Sequence, residues 1–489
     1  MRGSDDKAEP RAMSPPSPSG ADQPTPSLPP HGSSQPDRVR IGRFVRMAGL
    51  GRREFGVREA SLVLMASFFT SAVLGAVRQA LLNRQFGADE TAGAYYAAAR
   101  LPEILFTLVA GGALSSAFIP VLIGTRRADG EAAAQRLTGL VLTALVLVLT
   151  LAACLGELLA PWAVSGLLVP GYSDDGQATA TAVTRIMLLQ PVILGVGSVV
   201  TALLNSRNRF LLPALAFTSH NIGVIAGIGA AMIWPSIGIY GPAWGAVAGS
   251  MLQVGLMLPG LRGDGFRYRP SFGFSDSRLR EVARLLLPNG LGLAVGFGGA
   301  VVESSFASRL DNEAALPALH NAWLLVGLPV TLTGTAVGQA IFPRLATHAA
   351  SLDLPRLRAT LLRAFGAALA LAAPAVVVLV GFGVPVIDVL FEHGRFDADA
   401  GDLTYTALLG YVIGIPAYVA TELASRGLLA LRDARTPFLA NLGQLGLRIG
   451  LTAAFIGPLG LIGIPLAAAA AAAVETAVLL VFLWRRVRG

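Results

Sequence analysis

Residues 137–159 read LTGLVLTALVLVLTLAACLGELL, an apolar run whose one charged side chain is Glu157. An α-helix rises ~1.5 Å per residue and a bilayer's hydrocarbon core is roughly 30 Å thick, so this run can cross a membrane. Working outward, similar runs fall near 59–84, 92–123, 178–205, 211–234, 239–260, 283–308, 314–342, 361–383, 402–430, 437–457 and 460–484. The pattern predicts an all-α polytopic membrane protein of about 12 transmembrane helices. Composition agrees: of 489 residues 53% are hydrophobic and 14% charged, with a mean hydropathy of +0.61, more apolar than one soluble core requires.

The formal net charge of +8 lies in short loops, not on one basic face with interleaved aromatics, so nucleic acid is not an expected partner. With the amino end placed inside, the loops predicted cytoplasmic carry Arg126, Arg127 and Arg136; Arg207 and Arg209; Arg262, Arg267, Arg269, Arg278 and Arg280; Arg344, Arg356 and Arg358; Arg432 and Arg435; and Arg485, Arg486 and Arg488. In the intervening loops Arg84, Arg309 and Arg395 are the visible exceptions. That alternation puts both termini in the cytoplasm. Residues 1–57, rich in Pro, Ser, Gly and charge, read as a disordered basic cytoplasmic tail, ending in a polybasic stretch from Arg38 to Arg58.

The chain also repeats itself. Pro120 and Pro343 stand at one offset (343 − 120 = 223), and Pro235 with Pro458, Pro242 with Pro465 and Arg209 with Arg432 keep it. Pro161 with Pro385 and Pro213 with Pro437 fall within one residue of it. An even number of helices per copy gives both halves the same orientation, 58–280 and 281–489, as two parallel six-helix repeats around a central cavity. That architecture makes a transporter the leading class.

Several chemistries are excluded. Lys7 is the one lysine, so the body of the chain has no Walker phosphate loop. Cys154 is the one cysteine, which rules out an internal disulfide. His31, His220, His320, His348 and His393 show no metal-ligand spacing, and no catalytic dyad or triad is recognisable. No cofactor is expected.

An ionisable side chain at membrane depth marks a polar cavity or a pathway. Counting along the helices places Arg100, Glu103 and Arg448 near mid-depth, with Arg78 and Arg84 late in the first helix. Arg100 and Glu103 share a face across Pro102, as a self-neutralising pair or as a guanidinium presented to phosphate oxygens. Glu422 and Arg426 read as an internal pair, and Arg185, Glu303 and Glu475 are weaker candidates. Gly241, Gly245 and Gly249 at four-residue spacing predict close helix packing.

Taken in order, Ser71-Ala72-Val73-Leu74-Gly75-Ala76-Val77-Arg78, Phe86-Gly87-Ala88, Tyr95-Tyr96, Arg100-Leu101-Pro102 and Gly112-Ala113-Leu114-Ser115-Ser116-Ala117-Phe118-Ile119-Pro120 resemble the MurJ/MviN family of lipid II flippases. Pro170-Gly171-Tyr172, Asn208-Arg209-Phe210, Phe391-Glu392-His393-Gly394-Arg395-Phe396 and Arg432-Asp433 continue the pattern. The resemblance covers roughly residues 58–489.

It implies two six-helix lobes around a cationic cavity, moving undecaprenyl-pyrophosphate-linked peptidoglycan precursor from the inner to the outer leaflet by alternating access. It implies no catalysis, a bacterial inner membrane, and drive from the membrane potential or an ion gradient. The expected partners are the lipid-linked saccharide, membrane lipids and cell-wall synthesis proteins, and the expected substrate-binding residues are Arg78, Arg100, Glu103 and Arg448. Export of another polyprenyl-linked saccharide or amphipathic solute, or a non-transporting scaffold, remain alternatives. Only Arg78 and Arg100 match the family's charges, because Ala72, Gly93, Phe106, Thr107, Gly111, Leu324 and Gly327 stand where charged residues are usual. The chain stops after its twelfth run, so the carboxy-terminal helix pair of many members is not expected.

Overall fold

A computed structural model describes residues 57–109, 112–261 and 268–488. The amino-terminal tail, most of the polybasic block, Gly111, Arg262 and Arg267 lie outside the described residues. Every described element is helical. We number the crossings α1 (Val57–Phe86), α2 (90–129), α3 (131–168), α4 (Asp174–Asn205), α5 (Leu211–Ile233), α6 (Tyr240–Leu261), α7 (Ser277–Ala307), α8 (Ala315–Ala350), α9 (Leu354–Leu390), α10 (398–430), α11 (Arg435–Leu459) and α12 (Gly463–Arg488).

By length and apolarity alone eight stretches of the described residues stand out, or nine with the bent α10. Two of those stretches each hold two crossings. The helical run Gly112–Ala163 is broken at Gly130, whose φ of 83° no helix contains, and Gly460, with φ 58°, separates α11 from α12. The remaining crossing is α7, whose first turns carry Arg278, Arg280, Glu281 and Arg284 and whose later part, Ala294–Ala307, is a shorter apolar helix. The boundary drawn at 280/281 falls within α7, which begins at Ser277.

The duplication is written in the backbone as well as in the prolines. Positive φ recurs at Gly130 and Leu352, Asn208 and Arg432, and Gly238 and Gly460, each pair at the repeat offset to within a residue. A left-handed residue costs an ordinary L side chain energy, so its recurrence at matched loops marks matched turns.

Proline shapes the crossings that meet the centre. Pro102 has no N–H, so the Ala98 carbonyl loses its partner, and α2 breaks between Glu90–Ala98 and Arg100–Val109. Pro416 acts likewise in α10, where Ala398–Val412 and Ile415–Ala430 meet at 45°. Asp89 caps the start of α2 by accepting from the Ala92 N–H at 3.0 Å, and Ser173 caps α4 through the Gly176 N–H at 3.1 Å.

Glycine sets the tightest contact. Gly223 and Gly227 of α5 face Gly245 and Gly241 of α6, and a Cβ at Gly223 would lie 2.3 Å from the Gly245 carbonyl oxygen. The small-residue spacing in α6 is therefore helix packing, as its sequence suggests.

The loops that charge alternation predicts as outer hold the halves together. The Arg395 N–H donates to the Arg84 carbonyl at 3.0 Å, the Gly171 N–H to the Ser308 hydroxyl at 3.2 Å, and Arg395 approaches Asp89 at 3.9 Å. On the opposite side several loop arginines are paired: Arg207 with Glu131 at 2.6 Å, Arg126 with Glu131 at 2.9 Å, and Arg278 with Asp129.

Buried Asp433, between α10 and α11, accepts from the Thr436 N–H at 3.1 Å and meets Arg486 at 3.0 Å. Burial alone would raise its carboxyl, but the Thr436 hydrogen bonds and the Arg486 charge hold it below the ordinary aspartate range. A depressed folded pKa gives stability that is present above the unfolded value and lost as pH falls through the folded one. Asp433→Asn is thus expected to cost about 1 kcal/mol at neutral pH, and the gap to the parent should close as pH falls below about 4. Thermal denaturation of the purified protein across pH checks this.

Candidate functional site

A cavity of about 480 Å³ opens inside the amino-terminal half, lined by α1, α2, α4, α5 and α6 and closed on one side by α8. Its charged lining is Arg78, Arg100 and Glu103. Gln190, His220, Asn221, Gln253 and His320 supply neutral polar groups.

Each guanidinium is held differently. Arg78 donates from Nη1 to the Asn221 Oδ1 at 3.0 Å, and Asn221 in turn donates to the Ser71 carbonyl at 3.0 Å. Arg78 is thus oriented by a neutral amide, which leaves its charge uncancelled. Arg100 sits at the α2 break and meets Glu103 at 3.3 Å; its side chain is 13% exposed and the carboxylate 44%. Two fixed cations against one carboxylate make the cavity net positive.

On the cavity wall a buried amide cluster joins the halves. The Gln79 Nε2 lies 2.6 Å from the Tyr96 hydroxyl, 2.7 Å from the Asn321 Oδ1 and 3.1 Å from the Asn83 Oδ1. Gln79 belongs to α1 and Asn321 to α8, so this contact crosses the interface. The His320 ring stacks on Tyr96 at 4.0 Å between centroids.

Of the residues expected to bind substrate, the structure brings Arg78, Arg100 and Glu103 together and leaves Arg448 elsewhere. Arg448 is absent from the cavity lining and lies between α11 and α7, 3.1 Å from Glu303, which also accepts from the Tyr411 hydroxyl at 2.5 Å. Gly299 makes space for it: a Cβ there would fall 2.3 Å from the Arg448 Nη1. Glu422 and Arg426 form the expected internal pair, with Nε and Nη2 at 2.9 and 2.8 Å from one oxygen. Arg185 meets Glu157 at 3.6 Å, Arg309 lies over the Phe306 ring, and Glu475 is buried in α12.

The positions without the usual charges have structural occupants. Phe106 lines the cavity, and Gly93 seats Tyr172, whose hydroxyl would be 1.9 Å from a Cβ there. Among the described residues no group of three His, Cys, Asp or Glu could hold a metal ion. The arrangement offers cationic hydrogen-bond donors to an anion, with Arg forks suited to phosphate oxygens.

Comparison with solved structures identifies the fold. A lipid II flippase MurJ in an inward closed conformation superimposes with a TM-score of 0.75 at 23% identity, covering 86% of this chain and 87% of that one. An inward-facing multidrug resistance MATE family transporter of the MOP superfamily gives 0.72 at 14% identity, covering 85% and 94%. The chain therefore shares its fold with these two transporters.

Sequence narrows this further. The lipid II flippase MurJ family profile matches residues 82–489. A lipid II flippase MurJ from Burkholderia cenocepacia is 30% identical over 439 residues, spanning 87% of this chain and 84% of the relative. A probable lipid II flippase MurJ from Rhizobium meliloti is 28% identical over 381 residues, spanning 76% and 70%. The chain belongs to the lipid II flippase MurJ family.

Proposed function

We propose that this protein moves lipid II, the undecaprenyl-pyrophosphate-linked peptidoglycan precursor, from the inner to the outer leaflet of the bacterial cytoplasmic membrane. The observation that carries the reading is the placement of Arg78 and Arg100 on the wall of one cavity in a chain of this family. A charged headgroup crossing hydrocarbon unaided faces a barrier on the order of tens of kcal/mol. Fixed guanidiniums replace the lost water, and the two lobes rocking about the cavity expose it to each leaflet in turn. No covalent step is required.

The cavity's charge also suits an electrical drive. In an inside-negative membrane a pyrophosphate moves outward downhill, and the emptied, net-positive cavity returns inward downhill, at about 2.3 kcal/mol per elementary charge per 100 mV traversed. An ion gradient is the other candidate. Both termini lie in the cytoplasm in this reading, with membrane lipids and cell-wall synthesis enzymes as neighbours.

Expression in a bacterium depleted of its own flippase tests the proposal. Restored growth and cell shape are expected; a stably inserted protein that restores neither contradicts it. Phe106 on the cavity wall favours one second reading, export of a different polyprenyl-linked saccharide, because an aromatic face there suits a sugar better than a further phosphate. Failure of rescue with retained binding of undecaprenyl pyrophosphate would select that alternative.

A further inference from the structure

We propose that Glu103 is a displaceable internal counterion: it neutralises Arg100 when the cavity is empty, and the substrate's pyrophosphate evicts it. The inference rests on the pyrophosphate reading above and adds a residue that sets affinity and turnover.

Three of the ion pairs within the crossings invite comparison; a further one, Arg185 with Glu157, is exposed on both sides. Glu422 and Arg426 are four apart on α10 and share two short contacts, through Nε at 2.9 Å and Nη2 at 2.8 Å. Glu303 and Arg448 meet at 3.1 Å with side chains 7% and 14% exposed, and Tyr411 holds the same carboxylate oxygen. Those two are locked. Arg100 and Glu103 make a single long contact, Nη1 to Oε2 at 3.3 Å, and the Arg100 Nε is buried without an acceptor. Of the three, this pair alone lines the cavity.

The asymmetry of exposure says which partner moves. Arg100 is 13% exposed and fixed beside the α2 break, whereas Glu103 is 44% exposed and stands on the open side. Rotation of Glu103 away from Arg100 frees Nη1 for one phosphate oxygen, while a second oxygen of the pyrophosphate can reach the Nε–Nη2 edge, whose Nε is unfilled. Contacts on two edges of the guanidinium are together stronger than the single 3.3 Å bond they replace.

The pair also serves the return stroke. An unpaired guanidinium at membrane depth is costly. When the headgroup leaves, Glu103 swings back, so the empty cavity never carries Arg100 bare. The carboxylate thus competes with the substrate while it is bound and compensates for its absence afterwards.

Binding of undecaprenyl pyrophosphate to the purified full-length protein tests this, with inorganic pyrophosphate as a parallel probe to separate headgroup from lipid contributions. Glu103→Gln should bind the lipid roughly tenfold tighter while turning over more slowly in vesicles. Glu103→Asp, which keeps the charge on a shorter stem, should fall between parent and Glu103→Gln, giving a second reading if the neutral variant is unstable. In an Arg100→Ala background Glu103→Gln should add nothing. Unchanged or weaker binding by a folded Glu103→Gln protein overturns the counterion. If the parent itself binds neither probe, the pyrophosphate reading of the cavity fails instead.

Discussion

Arg78→Ala combined with Arg100→Ala is expected to abolish rescue of a flippase-depleted bacterium while the protein still inserts and folds. Removing both guanidiniums leaves Glu103 as the cavity's one fixed charge and turns a net-positive chamber negative. Each charge-assisted hydrogen bond to a phosphate is worth roughly 1.5–3 kcal/mol, so the pair supplies on the order of a hundredfold or more in binding. Folding should survive, because each guanidinium has a single side-chain contact, Arg78 to the Asn221 amide of α5 and Arg100 a long one to Glu103. Arg78→Lys alone is informative as well: it keeps the charge and loses the fork, and an intermediate defect is expected. Growth measured beside membrane abundance checks both. Full rescue by the double alanine variant would remove the cavity from the transport route.

Arg448→Ala should act on stability rather than on substrate. Its partner Glu303 is buried and keeps only Tyr411 as a donor once the guanidinium is gone. Breaking a buried pair by removing one partner typically costs about 3–5 kcal/mol, because an uncompensated charge remains. Replacing both partners, Glu303→Gln with Arg448→Gln, should recover much of that loss. Thermal denaturation in detergent reads the difference, and undecaprenyl pyrophosphate binding by the surviving folded fraction should equal the parent's. A stable Arg448→Ala protein that has lost binding would return Arg448 to the substrate path.

Arg448 also shows where sequence reading stops. Counting residues from the ends of a helix gives height in the membrane, and by height Arg448 belongs with Arg100. It carries no information about direction around the helix axis, which decides whether a side chain faces a cavity or a neighbouring helix. Gly299 on α7, which leaves space for the Arg448 guanidinium, is decisive only once α7 and α11 are known to touch.

The same limit hid the amides. Gln79 and Asn321 are single polar residues in apolar helices, indistinguishable in sequence from any satisfied packing residue, and only the fold joins them across the halves at 2.7 Å. His220 and His320 lack metal-ligand spacing and were unremarkable for that reason, yet both line the cavity. What was legible is what the solvent dictates: apolar length, the alternation of arginine between loops, and the repeat. Even there α7 is partly masked, because Arg278, Arg280, Glu281 and Arg284 blur its start, and the apolar run near 283 begins after the helix does. Pro102 was legible as a loosened backbone, and the break it makes is what sets Arg100 and Glu103 on the cavity wall.

In the proposed mechanism an arginine-lined chamber carries a pyrophosphate headgroup across the bilayer. The most direct measurement is the amount of lipid II accessible from the outer face of cells whose own flippase has been switched off, with this protein or its Arg78→Ala, Arg100→Ala variant supplied. Outer-face lipid II should be restored by the parent and absent with the variant at equal membrane abundance. Equal outer-face lipid II in the two strains would contradict that mechanism.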